Sequence, residues 1–210
     1  MAYFIKEIFY SLQGEGLQSG RAAVFCRFAG CNLWSGREED RITAKCNFCD
    51  TNFIGINGQN GGKFNNAQSL VTKITEYWPV FNDKPLVICT GGEPLLQMDS
   101  ILVETFHEAG FEVAIETNGT LEALPNIDWI CVSPKANTSL ILTSGDELKL
   151  IFPQKDAPPE LFQHFDFKYF FLQPMSDRQS HHNIQLALDY CLKHPQWRIS
   201  LQTHKLLNIQ

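Results

Sequence analysis

Three cysteines carry the clearest chemistry in this chain. Cys31, Cys46 and Cys49 form a C-x14-C-x2-C pattern. A C-x2-C pair lets two thiolates reach one metal centre from a tight turn. A third thiolate adds another corner. Structural zinc closes with four nitrogen or sulfur ligands. Here the fourth would have to be Cys26 or a distant histidine. Cys26 lies in the alternating run Val24-Phe25-Cys26-Arg27-Phe28, on the face opposite Arg27, and reads as packing. Cys89, Cys131 and Cys191 stand in apolar segments, where a buried free thiol is common. By spacing alone, zinc and an iron–sulfur cluster weigh about equally. Three features favour the cluster. Aromatic Phe48 stands just before the last cysteine. Gly91-Gly92-Glu93-Pro94 follows an apolar run and offers open backbone to a ligand. Three cysteines also leave one iron without a protein ligand, which suits catalysis better than structure.

These residues need a scaffold that brings distant segments together. Segments 22–28, 85–90, 111–117, 129–132, 148–152, 169–172 and 198–203 read as strands, with 5–12 as a further candidate. Leu70, Val71, Ile74, Tyr77 and Trp78 recur at helical spacing over 68–78. Asp99 can cap a helix running to Ala109, with Gly110 at its end. A third helix is predicted over 182–193, and the Gly/Asn-rich stretch 57–66 reads as a surface loop. Alternating strands and helices imply a largely parallel sheet. Several strands end in polar or Gly/Pro motifs, which a barrel-like α/β fold would gather where the carboxyl ends converge. The helices are too few for eight full units. The expected fold is α/β, a shortened, partial barrel of mostly parallel strands.

The chain has 210 residues, 44% of them apolar and 19% charged, which fits one globular domain over 1–210. Its formal charge is −6 and no Lys/Arg cluster interrupts it, which disfavours nucleic acid as a partner. Arg27, Lys135 and Lys149 remain as local cations for an acidic small molecule. No apolar run approaches a membrane span, and residues 1–10 lack a signal-peptide core. The expected location is therefore cytoplasmic. Seven cysteines, an odd number, argue there for metal ligation over a disulfide framework.

The ordered set of motifs is more specific than any one of them. It comprises Ser11–Gly16, Phe25–Trp34, Cys46–Thr51, Thr90–Pro94, Glu116–Gly119, Val132–Lys135 and Gln202–Lys205. Over nearly its whole length the chain resembles radical S-adenosylmethionine enzymes, and among them the 7-carboxy-7-deazaguanine synthase family. It departs from the superfamily's usual C-x3-C-x2-C pattern. Residues 32–45 replace the short spacer, as in a subset of that family. The charged run 37–41 within them reads most simply as a solvated loop.

The resemblance implies a 4Fe-4S cluster on Cys31, Cys46 and Cys49, with S-adenosylmethionine chelating the fourth iron. Asn47, Phe48, Cys49 and Asp50 would flank the nucleoside, and the Gly92 carbonyl would meet the cofactor amine. Ser133, Pro134 and Lys135 would take its ribose or carboxylate. Gln173, Pro174, Met175 and Ser176 would complete the adenine side. The implied substrate is 6-carboxy-5,6,7,8-tetrahydropterin, converted to 7-carboxy-7-deazaguanine by ring contraction with loss of ammonia. Leu12, Gln13, Gly14 and Glu15 would read the pterin edge, and Arg27 its carboxylate. Thr90, Glu116, Asn118 and His204 would add polar contacts, and Gln210 would fold back onto the substrate. Thr51 would ligate magnesium (Mg2+). A homodimer and an external reductant such as flavodoxin or ferredoxin are also implied. Simpler readings stand beside some of these roles. Arg27 could be an internal ion pair, Asn118-Gly119 a turn, and Met175 packing. A glycyl-radical activase would share the size and cluster motif.

Overall fold

The computed structural model describes residues 1–79 and 84–210. The chain opens with an antiparallel pair, β1 (Tyr3–Leu12) and β2 (Ala22–Phe28). A short strand, β3 (Gly62–Phe64), pairs with the outer side of β1. The rest are β4 (Leu86–Gly91), β5 (Glu112–Thr117), β6 (Trp129–Val132), β7 (Ser144–Phe152), β8 (Asp166–Pro174) and β9 (Trp197–Ile199). They form one nine-stranded sheet in the order β3-β1-β2-β4-β5-β6-β7-β8-β9. From β2 onward every pairing is parallel. From β2 onward the order never reverses, so the parallel part is a singly wound, open α/β sheet. Right-handed crossovers then place the covering helices on one face and leave the other for a cavity.

Strand alternation separates the two faces. Val24, Cys26 and Phe28 of β2 join Val87, Cys89, Val113 and Ile115 in the helix-side core. That core is covered by α1 (Ala67–Thr75) and α2 (Ser100–Glu108). Asn66 caps α1 by accepting from the Ser69 amide at 2.8 Å, and Asp99 caps α2 from Leu102 at 2.9 Å. Gly110 supplies the left-handed φ of +86° that ends the α2 segment. A second core gathers Leu148, Leu150, Leu172 and Trp197 beneath α3 (Ser180–Lys193). The inner face is apolar only at its base. There Phe9 and Phe25 stack with centroids 5.0 Å apart beside Leu86, Ile88 and Ala114.

Three expectations change. The predicted loop 57–66 contains β3, because Gly62–Phe64 satisfies the open edge of β1. The helix expected over 68–78 ends at Thr75. The strand expected over 198–203 stops at Ile199, and Thr203–Leu207 forms α4. Beyond β9 the backbone is drawn off the sheet: the Thr203 amide donates to the Gly14 carbonyl at 2.9 Å. Long-range hydrogen bonding has overridden a period-two pattern.

Candidate active site

The carboxyl ends of the parallel strands open on a cavity of about 450 Å³. Arg27, Thr90, Glu116, Lys149 and Gln173 line it from five successive parallel-run strands that skip only β6, whose Cys131 lines it too. The β1–β2 turn adds Gln13, Gly14 and Glu15, and α4 adds His204 and Lys205.

Cys31, Cys46 and Cys49 face the cavity from the loop after β2, and all three are free thiols. The Leu33 amide donates to Cys31 Sγ at 3.4 Å. A hydrogen bond from Cys46 is the main cause that pulls the Cys49 thiol down to about 6. Lys135, half-buried nearby, has its ammonium disfavoured by loss of solvent and donates to Ser133 Oγ at 2.7 Å. Among the described residues, no three His, Cys, Asp or Glu side chains converge on a single-ion site. A cubane does not require that convergence, because each thiolate binds a different iron. Three soft donors lining one cavity beside a half-buried lysine fit such a cluster.

The Gly91–Pro94 loop is fastened to the cysteine loop. The Glu93 amide donates to the Gly30 carbonyl at 2.9 Å. A Cβ added at Gly92 would overlap that same carbonyl oxygen, so only glycine fits this approach. Glu93 is fully buried and accepts from Thr117 Oγ1 and the Asn118 amide, both at 2.8 Å. It ties the ends of β4 and β5 together. Burial raises the Glu93 carboxyl above its ordinary value against these donors.

Cations and carboxylates pair elsewhere around the cavity. Lys149 Nζ donates to Glu15 at 2.6 Å and to Glu116 at 3.2 Å. Glu116 also accepts from Gln13 Nε2 at 2.9 Å and Thr90 Oγ1 at 3.3 Å. Arg27 Nε donates to Glu7 at 2.7 Å. Its two Nη atoms carry no hydrogen bond among the described residues.

No family model matches the chain. A curated protein of Burkholderia multivorans, 7-carboxy-7-deazaguanine synthase, is 57% identical over 209 residues, covering 100% of both chains. This chain belongs to the 7-carboxy-7-deazaguanine synthase family. Relatives of the same name from Nitratidesulfovibrio vulgaris and Bacteroides thetaiotaomicron are 50% and 41% identical over at least 98% of each chain. The crystal structure of QueE from Escherichia coli matches with a TM-score of 0.69 at 27% identity, covering 96% of this chain and 94% of that one. The protein is thus an enzyme of the radical S-adenosylmethionine type, with the partial-barrel fold of its relatives.

Most residues singled out in this synthase sequence reach the cavity. Beyond those named above, Leu12, Phe48, Asp50, Thr51, Gly92, Asn118, Pro174, Met175, Ser176 and Gln210 line it. Asn47 and Pro134 do not. The Asn47 carbonyl instead accepts from Arg41 at 2.9 Å, and the Pro134 carbonyl from Gln154 at 3.3 Å. The internal ion pair considered for Arg27 is present, with Glu7 as partner. Asn118 is engaged in its turn, accepting from the Thr120 amide at 3.0 Å. Gln210 is anchored: its carbonyl accepts from Ser11 Oγ at 2.6 Å. Sequence reasoning gave no site role to Glu7, Lys6 or Gln202, although Gln202 stood in one of its motifs, and all three line the site. For Glu7 the signal was available, because hairpin pairing sets it opposite Arg27.

Proposed function

We propose that this chain contracts the ring of 6-carboxy-5,6,7,8-tetrahydropterin to 7-carboxy-7-deazaguanine, with loss of ammonia. The observation that carries the reading is the sharing of one cavity by three free thiols and the Arg27 guanidinium. Cys31, Cys46 and Cys49 would hold a 4Fe-4S cluster with an open iron for S-adenosylmethionine. When bound and supplied with an electron, these groups would provide radical chemistry able to abstract hydrogen.

The protein's task is to bind, orient and exclude water. Arg27 offers two free Nη donors to the substrate carboxylate while Glu7 fixes its plane. Gln13 and Glu116 present an amide and a carboxylate to the pterin edge from a mutually hydrogen-bonded pair. Lys149 holds the Glu15 and Glu116 carboxylates in place by donating to both. Gly92, Ser133, Lys135 and Gln173–Ser176 line the same cavity and would hold the sulfonium cofactor. Thr51 adds a hard oxygen for Mg2+. The reading includes a homodimer and an external one-electron donor, both resting on family membership.

The test is an anaerobic assay of the reconstituted full chain with the carboxytetrahydropterin, S-adenosylmethionine, a reductant and magnesium. The expected product is the deazapurine, with S-adenosylmethionine regenerated. Cys46→Ala should lose iron and product together. Cys26→Ala, in the helix-side core, should keep its iron at a cost of about 1–2 kcal/mol in stability. Cluster-replete protein that makes no deazapurine, or zinc without acid-labile sulfide, would overturn the reading. Stoichiometric cofactor consumption on a partner protein would favour an activase instead.

A further inference from the structure

The fourteen residues between Cys31 and Cys46 are not a free loop. They fold into a 3-10 turn over Glu38–Thr43 that turns Arg41 back onto the ligand loop. All three guanidinium nitrogens are engaged. Nε and Nη2 donate to the two Glu38 oxygens at 2.7 and 2.6 Å. Nη1 donates to the Asn47 carbonyl at 2.9 Å and the Cys49 carbonyl at 3.1 Å. The guanidinium carbon lies 4.0 Å from the Trp34 ring centroid. Trp34 is itself buried, donates from Nε1 to the Arg37 carbonyl at 3.1 Å, and meets Phe53 edge-on at 5.6 Å.

An exposed Arg–Glu pair alone is worth little. Glu38 is 76% exposed, but Arg41 is only 29% exposed and its remaining nitrogen is spent on backbone. The two carbonyls it grips flank Phe48 and belong to the turn that presents Cys46 and Cys49. Holding both holds the turn. Stacking on Trp34 fixes the plane of the cation, so the grip is directional. Adding an electron to a thiolate-bound cluster adds negative charge, and a cation fixed at the ligand loop favours that state.

We propose that Arg41 is a positioning residue for cluster ligation, delivered by the long spacer to hold the Cys46–Cys49 turn and favour the reduced cluster. The proposal rests on the iron–sulfur reading above. Its test compares full-length wild type, Arg41→Gln and Arg41→Lys, reconstituted without oxygen. Iron release to a chelator and an EPR-monitored redox titration are the readouts. Arg41→Gln should release iron roughly tenfold faster, the scale of one lost charge-assisted hydrogen bond, and titrate at a more negative potential. Arg41→Lys keeps the charge but not the fork, so it should recover most of the potential and little of the retention. Folded Arg41→Gln that takes up no cluster supports the grip in its strongest form. Arg41→Gln equal to wild type in both readouts overturns it. Wild type that binds no cluster overturns the iron–sulfur reading instead. If Arg41→Gln does not fold, Glu38→Gln carries the test: faster iron release supports the proposal, and unchanged release overturns it.

Discussion

Glu15 shows how one residue can be shaped by opposing effects. Burial favours its neutral form. The Lys149 ammonium, 2.6 Å away and only 5% exposed, together with the Gln202 amide and His204 outweighs that burial. The net effect pulls the Glu15 carboxyl from its ordinary 4.5 down to about 2. A lowered folded-state value means stability that is whole above the unfolded value and lost as pH falls through the folded one. Glu15 should therefore stabilise the fold fully above about pH 4.5 and lose that contribution between there and about pH 2. Glu147 works in the opposite sense, since burial raises its carboxyl. Comparing wild type with Glu15→Gln cancels that shared background. Their gap in thermal midpoint should be widest near about pH 7 and close progressively below pH ~4.5. A gap that stays constant down the acid range contradicts the account. The family resemblance marked Glu15 as a contact to the pterin edge. It held no information on the lysine 134 positions away that sets its charge.

At the level of elements, backbone approach matters as much as side chains. The segment after β4 lies against Gly30 so closely that any side chain at position 92 would collide with a carbonyl. Neither backbone can yield without moving Cys31 or Glu93. Gly92→Ala should cost about 1–3 kcal/mol, the usual range for overpacking, and shift the loop that faces the sulfonium cofactor. Equilibrium binding of S-adenosylmethionine to cluster-loaded protein should weaken by roughly tenfold or more. Wild-type affinity in a folded Gly92→Ala variant would refute the close approach. The motif's glycines were visible in the sequence, but their partner was not. The helix starts at Asn66 and Asp99 follow local capping rules, and Asp99 was legible for that reason. The final strand was misjudged because residues 198–203 alternate as a strand would, while Gly14 holds Thr203 away from the sheet.

At the scale of the molecule, the cavity is closed by its two most distant segments. α4 contributes no buried residue, so the core does not depend on it. It is held through Thr203 on Gly14, Lys205 on Asp50 at 2.8 Å, and Gln210 on Ser11. Removing residues 203–210 should lower stability by only about 1 kcal/mol, since those contacts are mostly exposed. It should weaken binding of the carboxytetrahydropterin at least about tenfold, because His204 and Gln210 leave the wall. Calorimetric melting and binding titration on the truncated chain check both halves. Substrate affinity unaffected by the truncation would show that the wall is dispensable.

The sequence by itself determined the cysteine trio, the strand pattern, the two faces of β2 and the polar motifs at strand ends. These are local facts, set by residue type and period. Only the tertiary structure decided that Lys149 joins Glu15 to Glu116 and that Glu93 meets Thr117 and Asn118. Parallel pairing brings together segments far apart in the chain. A hydrogen bond or ion pair across that distance depends on which strand ends meet, and no local pattern encodes it.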